Sequence, residues 1–298
     1  MKVSISSIQD FLSCRRMYYY KRIKKYERDS FSIPHLVGRV VHTGIYHLFR
    51  KSKDYIGEAV KFFKEEKKHV IEKFTLSSED EQDLNEIEVV VRGMLDAYKK
   101  RYAVMLRDVK LVSNEQEGIL DIDGDEFIYK IDNIVRIREK KVLHELKTSK
   151  YITHDYVRSI RTNFQTAAYF YAYNYGEKDP IKEVMYDIIR KPSIRQKKNE
   201  SYGAFLKRLG EWYDNTDDGD SKFHVERFEK PLISENDVFC TVGGVLKDLK
   251  ASKQKEDFYQ NFEKCHSYYG ERCPYYELCH EGGETKENMV LYTIGRSK

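Results

Sequence analysis

No part of the chain approaches the eighteen or so consecutive apolar residues that a membrane-spanning helix needs. The opening MKVSISSIQDFLSC has no basic stretch leading into an apolar core, so no secretory leader is expected. Internal repeats and low-complexity segments are absent, which excludes solenoids and disordered tracts. There is no Walker A sequence either, so any helicase step would fall to a partner. Neither sign of charge dominates: 53 Lys and Arg against 49 Asp and Glu leave a net +4. Hydrophobic residues reach only 40%, but 13% aromatics argue against a disordered chain. With 298 residues there is enough length to bury a core without disulfide staples. A non-membrane, cytoplasmic chain in a reducing interior is the expectation.

Local charge says more than the total. Arg15, Arg16, Lys21, Arg22, Lys24 and Lys25 interleave with Met17, Tyr18, Tyr19, Tyr20 and Tyr26. Arg190, Lys191, Arg195, Lys197 and Lys198 form a second basic run. Basic groups neutralise phosphates and aromatic faces stack bases, so nucleic acid suits the pattern. A solvated basic face with tyrosines packed beneath it is the competing reading.

The five cysteines are Cys14, Cys240, Cys265, Cys273 and Cys279, an odd count that argues against a disulfide framework. Three of them form C-x7-C-x5-C near one end, with Cys14 near the other. Thiols clustered in a reduced chain point to a metal centre, and four thiolates suit either an iron–sulfur cluster or tetrahedral zinc. In the zinc reading His266 and His280, beside the cysteines, could substitute as ligands. Cys240 falls outside the set and is expected as a buried helical thiol.

Hydrophobic periodicity predicts helices over 5–20 (stripe Ile5, Ile8, Leu12, Tyr19), 36–50, 55–74 and 81–107, with Ser78 as a cap. Phe62, Phe63, Val70, Ile87, Val91, Leu95 and Tyr98 are their expected core contacts. From residue 109 the pattern becomes strand-like: 109–122, 126–138 and 141–148, separated by Asp123-Gly124-Asp125 and Glu139-Lys140, read as an antiparallel meander. A helix at 154–175, a strand at 181–190, a basic linker, a short helix at 202–213, a loop at 214–221, a strand at 222–230 and a helix at 234–252 follow. The expected class is α/β (mixed α+β), with a mixed central sheet flanked by helices. One domain, 1–298, is expected: a helical region 1–107, a catalytic core 108–230, and a C-terminal helix with the cysteine-rich tail 231–298.

The meander carries Asp132, in YKIDNIVR, then Glu145 and Lys147, in VLHELKTSK. Strand alternation puts Glu145 and Lys147 on one face, about 7 Å apart along the chain. Asp132 can approach them across a hairpin. Two carboxylates converging on a sheet can hold Mg²⁺ or Mn²⁺. A lysine beside such an ion can orient or deprotonate water and stabilise a phosphoryl oxygen. Gln165 and Tyr169, four apart, share a helix face. Upstream, His42 follows Gly38 by one helical turn, where a glycine permits close approach of another backbone.

Gly38-x3-His42, Asp132, Glu145-x-Lys147 and Gln165-x3-Tyr169, in this order, resemble the RecB-like branch of the PD-(D/E)XK nuclease superfamily. Cys14 with Cys265, Cys273 and Cys279 resembles the split iron–sulfur motif of its AddB-type and CRISPR-associated members. The resemblance implies a restriction-endonuclease-like fold. It makes His42, Asp132 and Glu145 metal ligands, with the Leu146 carbonyl beside them. Lys147 becomes the catalytic lysine, and Gln165 and Tyr169 DNA-contacting or site-supporting residues. The four cysteines would hold a [4Fe–4S] cluster as a C-terminal clasp. The implied activity is that of a DNA exonuclease acting on ends or single strands in recombination, repair or phage replication, alongside a helicase or recombination partner. Trimming of DNA for CRISPR adaptation and a non-catalytic DNA-binding subunit are the alternatives. Lys130 stands where the family usually has a small residue two before the aspartate, and the cysteine spacing is wider than the family's C-x2-C.

Overall fold

Two tight turns organise the middle of the chain. At Asp123-Gly124 both residues have positive φ, 54° and 80°, the combination a two-residue hairpin needs. Strand β3 (Val109–Ile122) therefore folds back onto β4 (Asp125–Ile137). The next turn lies at Arg138-Glu139, one residue earlier than the sequence suggested, and joins β4 to β5 (Lys140–Ser149) in antiparallel register. In the computed structural model, residues 1–28, 31–215, 221–266 and 271–295 are described. The chain divides into two compact units, one of residues 31–117 and 130–234, the other of residues 1–30, 118–129 and 235–298.

In the first unit, β5 continues parallel to β6 (Glu183–Arg190), which pairs antiparallel with β7 (Phe223–Phe228). The sheet is thus mixed, with helices preceding and following it. Ile33–Phe49 and Tyr55–Lys73 form two long helices, followed by Ser78–Arg101 and the short Ala103–Asp108. Val40, Val41, Ile45 and Phe49 of the first pack with Leu84, Val91, Leu95 and Tyr98 of the third and with Val135, Val142, Leu146 and Met185 of the sheet. Gly44 makes this possible, because a Cβ there would lie 2.4 Å from a Leu95 methyl. Successive strand residues point to opposite faces, so Leu146 enters that core while Glu145 and Lys147 face away from it. A helix at Phe164–Asn174 covers their side through Gln165.

The second unit holds the short strand β1 (Lys2–Ser4), parallel to residues 126–128 of β4, and a two-stranded sheet of β2 (Tyr26–Arg28) with β8 (Tyr292–Ile294). Tyr20, Tyr26, Tyr275, Leu278 and Tyr292 form its aromatic core.

Several expectations need correction. The helix expected over 5–20 stops at Ser13, because Cys14 is extended (φ −161°), and a new turn starts at Arg15. Its buried stripe is Ile5, Ile8 and Phe11, while Leu12 is 57% exposed. Ser77, not Ser78, caps the helix at Ser78–Arg101, through a capping box with Asp80. The helix expected over 81–107 is two, breaking at Tyr102. That over 154–175 is also two, His154–Ser159 and Phe164–Asn174, joined by a 3₁₀ turn. Most of the loop expected at 214–221 lies outside the described residues. Of the expected helical core contacts, Phe62 alone is only half-buried. Cys240 is helical but exposed, so it is not a core thiol.

Candidate active site

The registers of β4 and β5 pair Asn133 with His144, which carries Asp132 opposite Glu145. Glu145 is 1% exposed, and its Oε1 takes two donors: the Lys147 ammonium at 2.5 Å and the Gln165 amide at 3.2 Å. Its Oε2 is buried without a hydrogen-bond partner. The Leu146 N–H points at Asp132 Oδ2 at 3.4 Å, and the His42 Nδ1 lies 3.6 Å from the same oxygen. The Leu146 carbonyl lies within reach of the His42 ring. All seven residues singled out in the sequence, His42, Asp132, Glu145, Leu146, Lys147, Gln165 and Tyr169, thus gather at one place.

Burial dominates the electrostatics. It raises the pKa of Glu145 and of Asp132, and for Glu145 the neighbouring Asp132 charge adds to the rise. Burial lowers His42, although Glu145 partly opposes the shift. Lys147 is desolvated too, but the Glu145 and Asp132 carboxylates outweigh this and hold it above its ordinary value. Burial pushes the Tyr169 phenol up to about 12. The site therefore combines a firmly charged lysine, a neutral-leaning imidazole and two carboxylates that resist sharing one desolvated space.

That combination fits a hard divalent cation. Among the described residues no three His, Cys, Asp or Glu side chains are spaced to hold an ion as they stand. Even so, a buried carboxylate oxygen with no partner is costly, and a cation is the group that would satisfy Glu145 Oε2. The donors around it, carboxylate, carbonyl and imidazole, suit Mg²⁺ or Mn²⁺.

Sequence reasoning missed several neighbours. Asn114 on β3 donates to the Asp132 carbonyl at 2.9 Å and to Asn133 Oδ1 at 3.0 Å. Tyr186 lies beside Glu145 across the β5–β6 ladder, its hydroxyl 3.5 Å from that of Tyr156. On the opposite face, His144 and Asp187 are wholly buried 3.6 Å apart, with Tyr98 donating to Asp187 at 2.7 Å. Strand alternation could have placed Tyr186 and Asp187 on their faces, but nothing local marks Asn114. Gly38 does sit at a close approach, but to the Thr148 side chain rather than to backbone, with a Cβ there 3.3 Å from its Oγ1. The departure at Lys130 is accommodated by an ion pair with Glu115 at 2.7 Å.

The second unit brings the other predicted set together. Cys14, Cys265, Cys273 and Cys279 line one small cavity with His280, Met17, Tyr275 and Tyr276. The Asn261 N–H donates to Cys14 Sγ at 3.3 Å, and His280 Nε2 lies 3.3 Å from Cys265 Sγ. Burial raises the Cys265, Cys273 and Cys279 thiols, Cys279 to about 11, and the neighbouring sulfurs add to the rise. Four sulfurs that repel one another as thiolates are a donor set suited to a thiophilic metal centre. Four of the six residues of the first basic run, in contrast, are spent in internal ion pairs. Arg15 pairs with Asp248, Lys21 and Arg22 with Asp10, and Lys24 with Glu284, while Tyr18, Tyr20 and Tyr26 are buried. There the packed-tyrosine reading holds.

Comparison with known proteins bears on lineage. No curated protein matches the chain. A crystal structure of a candidate exonuclease from Eubacterium rectale is similar over 97% of this chain and 91% of its own, at 15% identity and a TM-score of 0.48. A structure of SSO0001 is similar over 63% of this chain and 85% of its own, at 10% identity and a TM-score of 0.32. The family model of the PD-(D/E)XK nuclease superfamily matches residues 2–280, and by that match the chain belongs to this superfamily.

Proposed function

We propose that the protein is a divalent-metal-dependent deoxyribonuclease, an exonuclease that hydrolyses phosphodiester bonds at DNA ends or in single strands. One observation carries the reading: the buried, unpartnered Oε2 of Glu145, set beside Asp132 and His42 and clamped from behind by Lys147 and Gln165. Asp132, Glu145, His42 and the Leu146 carbonyl would hold the ion. When bound, Mg²⁺ or Mn²⁺ supplies Lewis-acid stabilisation of the phosphoryl oxygens and lowers the pKa of a water.

The side chains do the rest. Gln165 and Lys147 both engage Oε1 of Glu145 and so leave Oε2 without a donor. Lys147 is held protonated by two carboxylates, which suits charge stabilisation and water orientation better than proton abstraction. Tyr169, kept neutral by burial, can donate a hydrogen bond but not supply an anion. The four cysteines are assigned a [4Fe–4S] cluster of structural purpose, because three of them follow in a short tail while the fourth ends a helix some 250 residues earlier. The whole chain is read as one nuclease domain with recombination, repair or phage replication as its setting.

Anaerobically purified protein incubated with end-labelled single- and double-stranded DNA tests the reading. Shortening of the label with Mg²⁺ or Mn²⁺, stopped by a chelator, is expected. Intact DNA under both metals would overturn it.

A further inference from the structure

A groove of about 670 Å³ opens beside the site, lined by the start of the Ile33–Phe49 helix, Phe62, Asn114, Asp132, Lys147, Thr148 and Lys191. Its charges are nearly all committed. Arg39 is bound through both terminal nitrogens to Glu66, at 2.7 and 2.8 Å. Lys147 is paired with Glu145, and Glu115 with Lys130. Lys191 differs. Its ammonium is half-buried and meets only the Thr148 carbonyl, at a long 3.5 Å, with no carboxylate partner among the described residues.

Its backbone is nevertheless fixed. The Lys191 N–H donates to Ser149 O at 2.7 Å, extending the parallel β5–β6 ladder by one residue. Pro192 follows and disfavours helical backbone at Lys191. The lysine therefore stands at the carboxyl end of two parallel strands, where α/β sheets commonly receive ligands. The Lys191 backbone is tied to Ser149, two residues or about 7 Å past Lys147, and its ammonium reaches back to the Thr148 carbonyl, which keeps it within about one nucleotide step of Lys147. A partly desolvated cation without a counter-ion is a poor structural element and a good anion receptor. Desolvation also depresses its pKa, as expected of a cation whose partner arrives with a ligand. The groove's other wall carries two half-buried rings, Phe62 with the Arg39 guanidinium over one face at 5.2 Å and Tyr46 with that of Arg50 over one face at 5.5 Å, so that a base has the second face of each. Only unpaired bases can lie against such faces, since duplex bases are stacked on each other.

We infer that Lys191 binds a backbone phosphate of a single-stranded nucleic acid one nucleotide away from the bond to be cut, with a neighbouring base against Phe62 and Tyr46. This rests on the nuclease reading above and specifies which strand form the site takes. Fluorescence anisotropy of a labelled single-stranded oligodeoxynucleotide and its duplex, in chelator and across a salt series, tests it without turnover. Lys191→Ala should weaken single-strand binding by about tenfold, the loss of one charge-assisted hydrogen bond. The slope of log affinity against log salt should fall by about 0.7, one phosphate contact on a single strand. Lys191→Arg should restore both, and Lys207→Ala, at an exposed lysine paired with Glu211 on its own helix, should change neither. If Lys191→Ala binds and responds to salt like the wild type while the wild type cleaves DNA, the phosphate contact is wrong and the nuclease reading stands. Duplex bound as tightly as single strand, with the same loss in Lys191→Ala, would overturn the strand preference. A wild type that neither binds nor cleaves DNA would overturn the nuclease reading and this inference together.

Discussion

The carboxylate site and the cysteine cavity both gather residues distant in sequence, but different kinds of backbone hold them. Asp132 and Glu145 sit on long strands held by the backbone ladder they share with their neighbours. Cys14 lies at a break between two helical segments, Cys265 just past a 3₁₀ turn, and Cys279 in a five-residue helix. Elements that short bring little stability of their own. The sheet can therefore organise a site and tolerate loss of its charges. The cavity would depend on its bound centre for order. Changes at the first should cost turnover, and changes at the second should cost the fold.

The largest expected effect falls on turnover. Lys147→Ala should reduce cleavage by about a thousandfold, the scale of losing one preorganised electrostatic contact, while Mn²⁺ affinity by calorimetry stays close to wild type. A matching loss of Mn²⁺ affinity would make Lys147 a support for the ion site instead. Next comes Cys14→Ala, which should lose iron together with several kcal/mol of stability, by analogy with opening a long covalent loop. Elemental analysis and thermal melting read the two, with about four iron per chain expected in the wild type. One zinc and no iron would remove the cluster while leaving the hydrolytic site untouched.

His42→Ala should raise the Mn²⁺ concentration needed for half-maximal cleavage, by about ten- to a hundredfold, because imidazole prefers Mn²⁺ to Mg²⁺. An unchanged requirement would return His42 to a packing role. Smallest of all is Cys240→Ala. This thiol is exposed on its helix, with only a long contact to Asn236 at 3.7 Å, so colour, iron and melting temperature should all persist.

Much of this site was legible because its signals are local. Alternation along VLHELKTSK placed Glu145 and Lys147 on one face, and four-residue spacing placed Gln165 with Tyr169. The Asp123-Gly124 turn announced the hairpin that carries Asp132. What escaped depends on tertiary packing. Asn114 gains meaning only from the strand folded beside it, and Lys191 only from where β6 ends next to β5. The helix over 5–20 was misread by one position: Phe11 rather than Leu12 faces inward, and the extended Cys14 interrupts an otherwise helical pattern. A three-residue strand such as Lys2–Ser4 owes its conformation to its partner at 126–128 and has no periodicity to read.

Glu145→Ala removes the carboxylate on which the proposed ion site rests. Wild type and variant should be compared in parallel for Mn²⁺ binding by calorimetry and for cleavage of end-labelled single-stranded DNA. The expectation is that the variant loses both while its melting temperature stays within a few degrees of wild type, since the sheet and not the carboxylate holds the fold. Cleavage at the wild-type rate in a nuclease-free preparation of Glu145→Ala would contradict it.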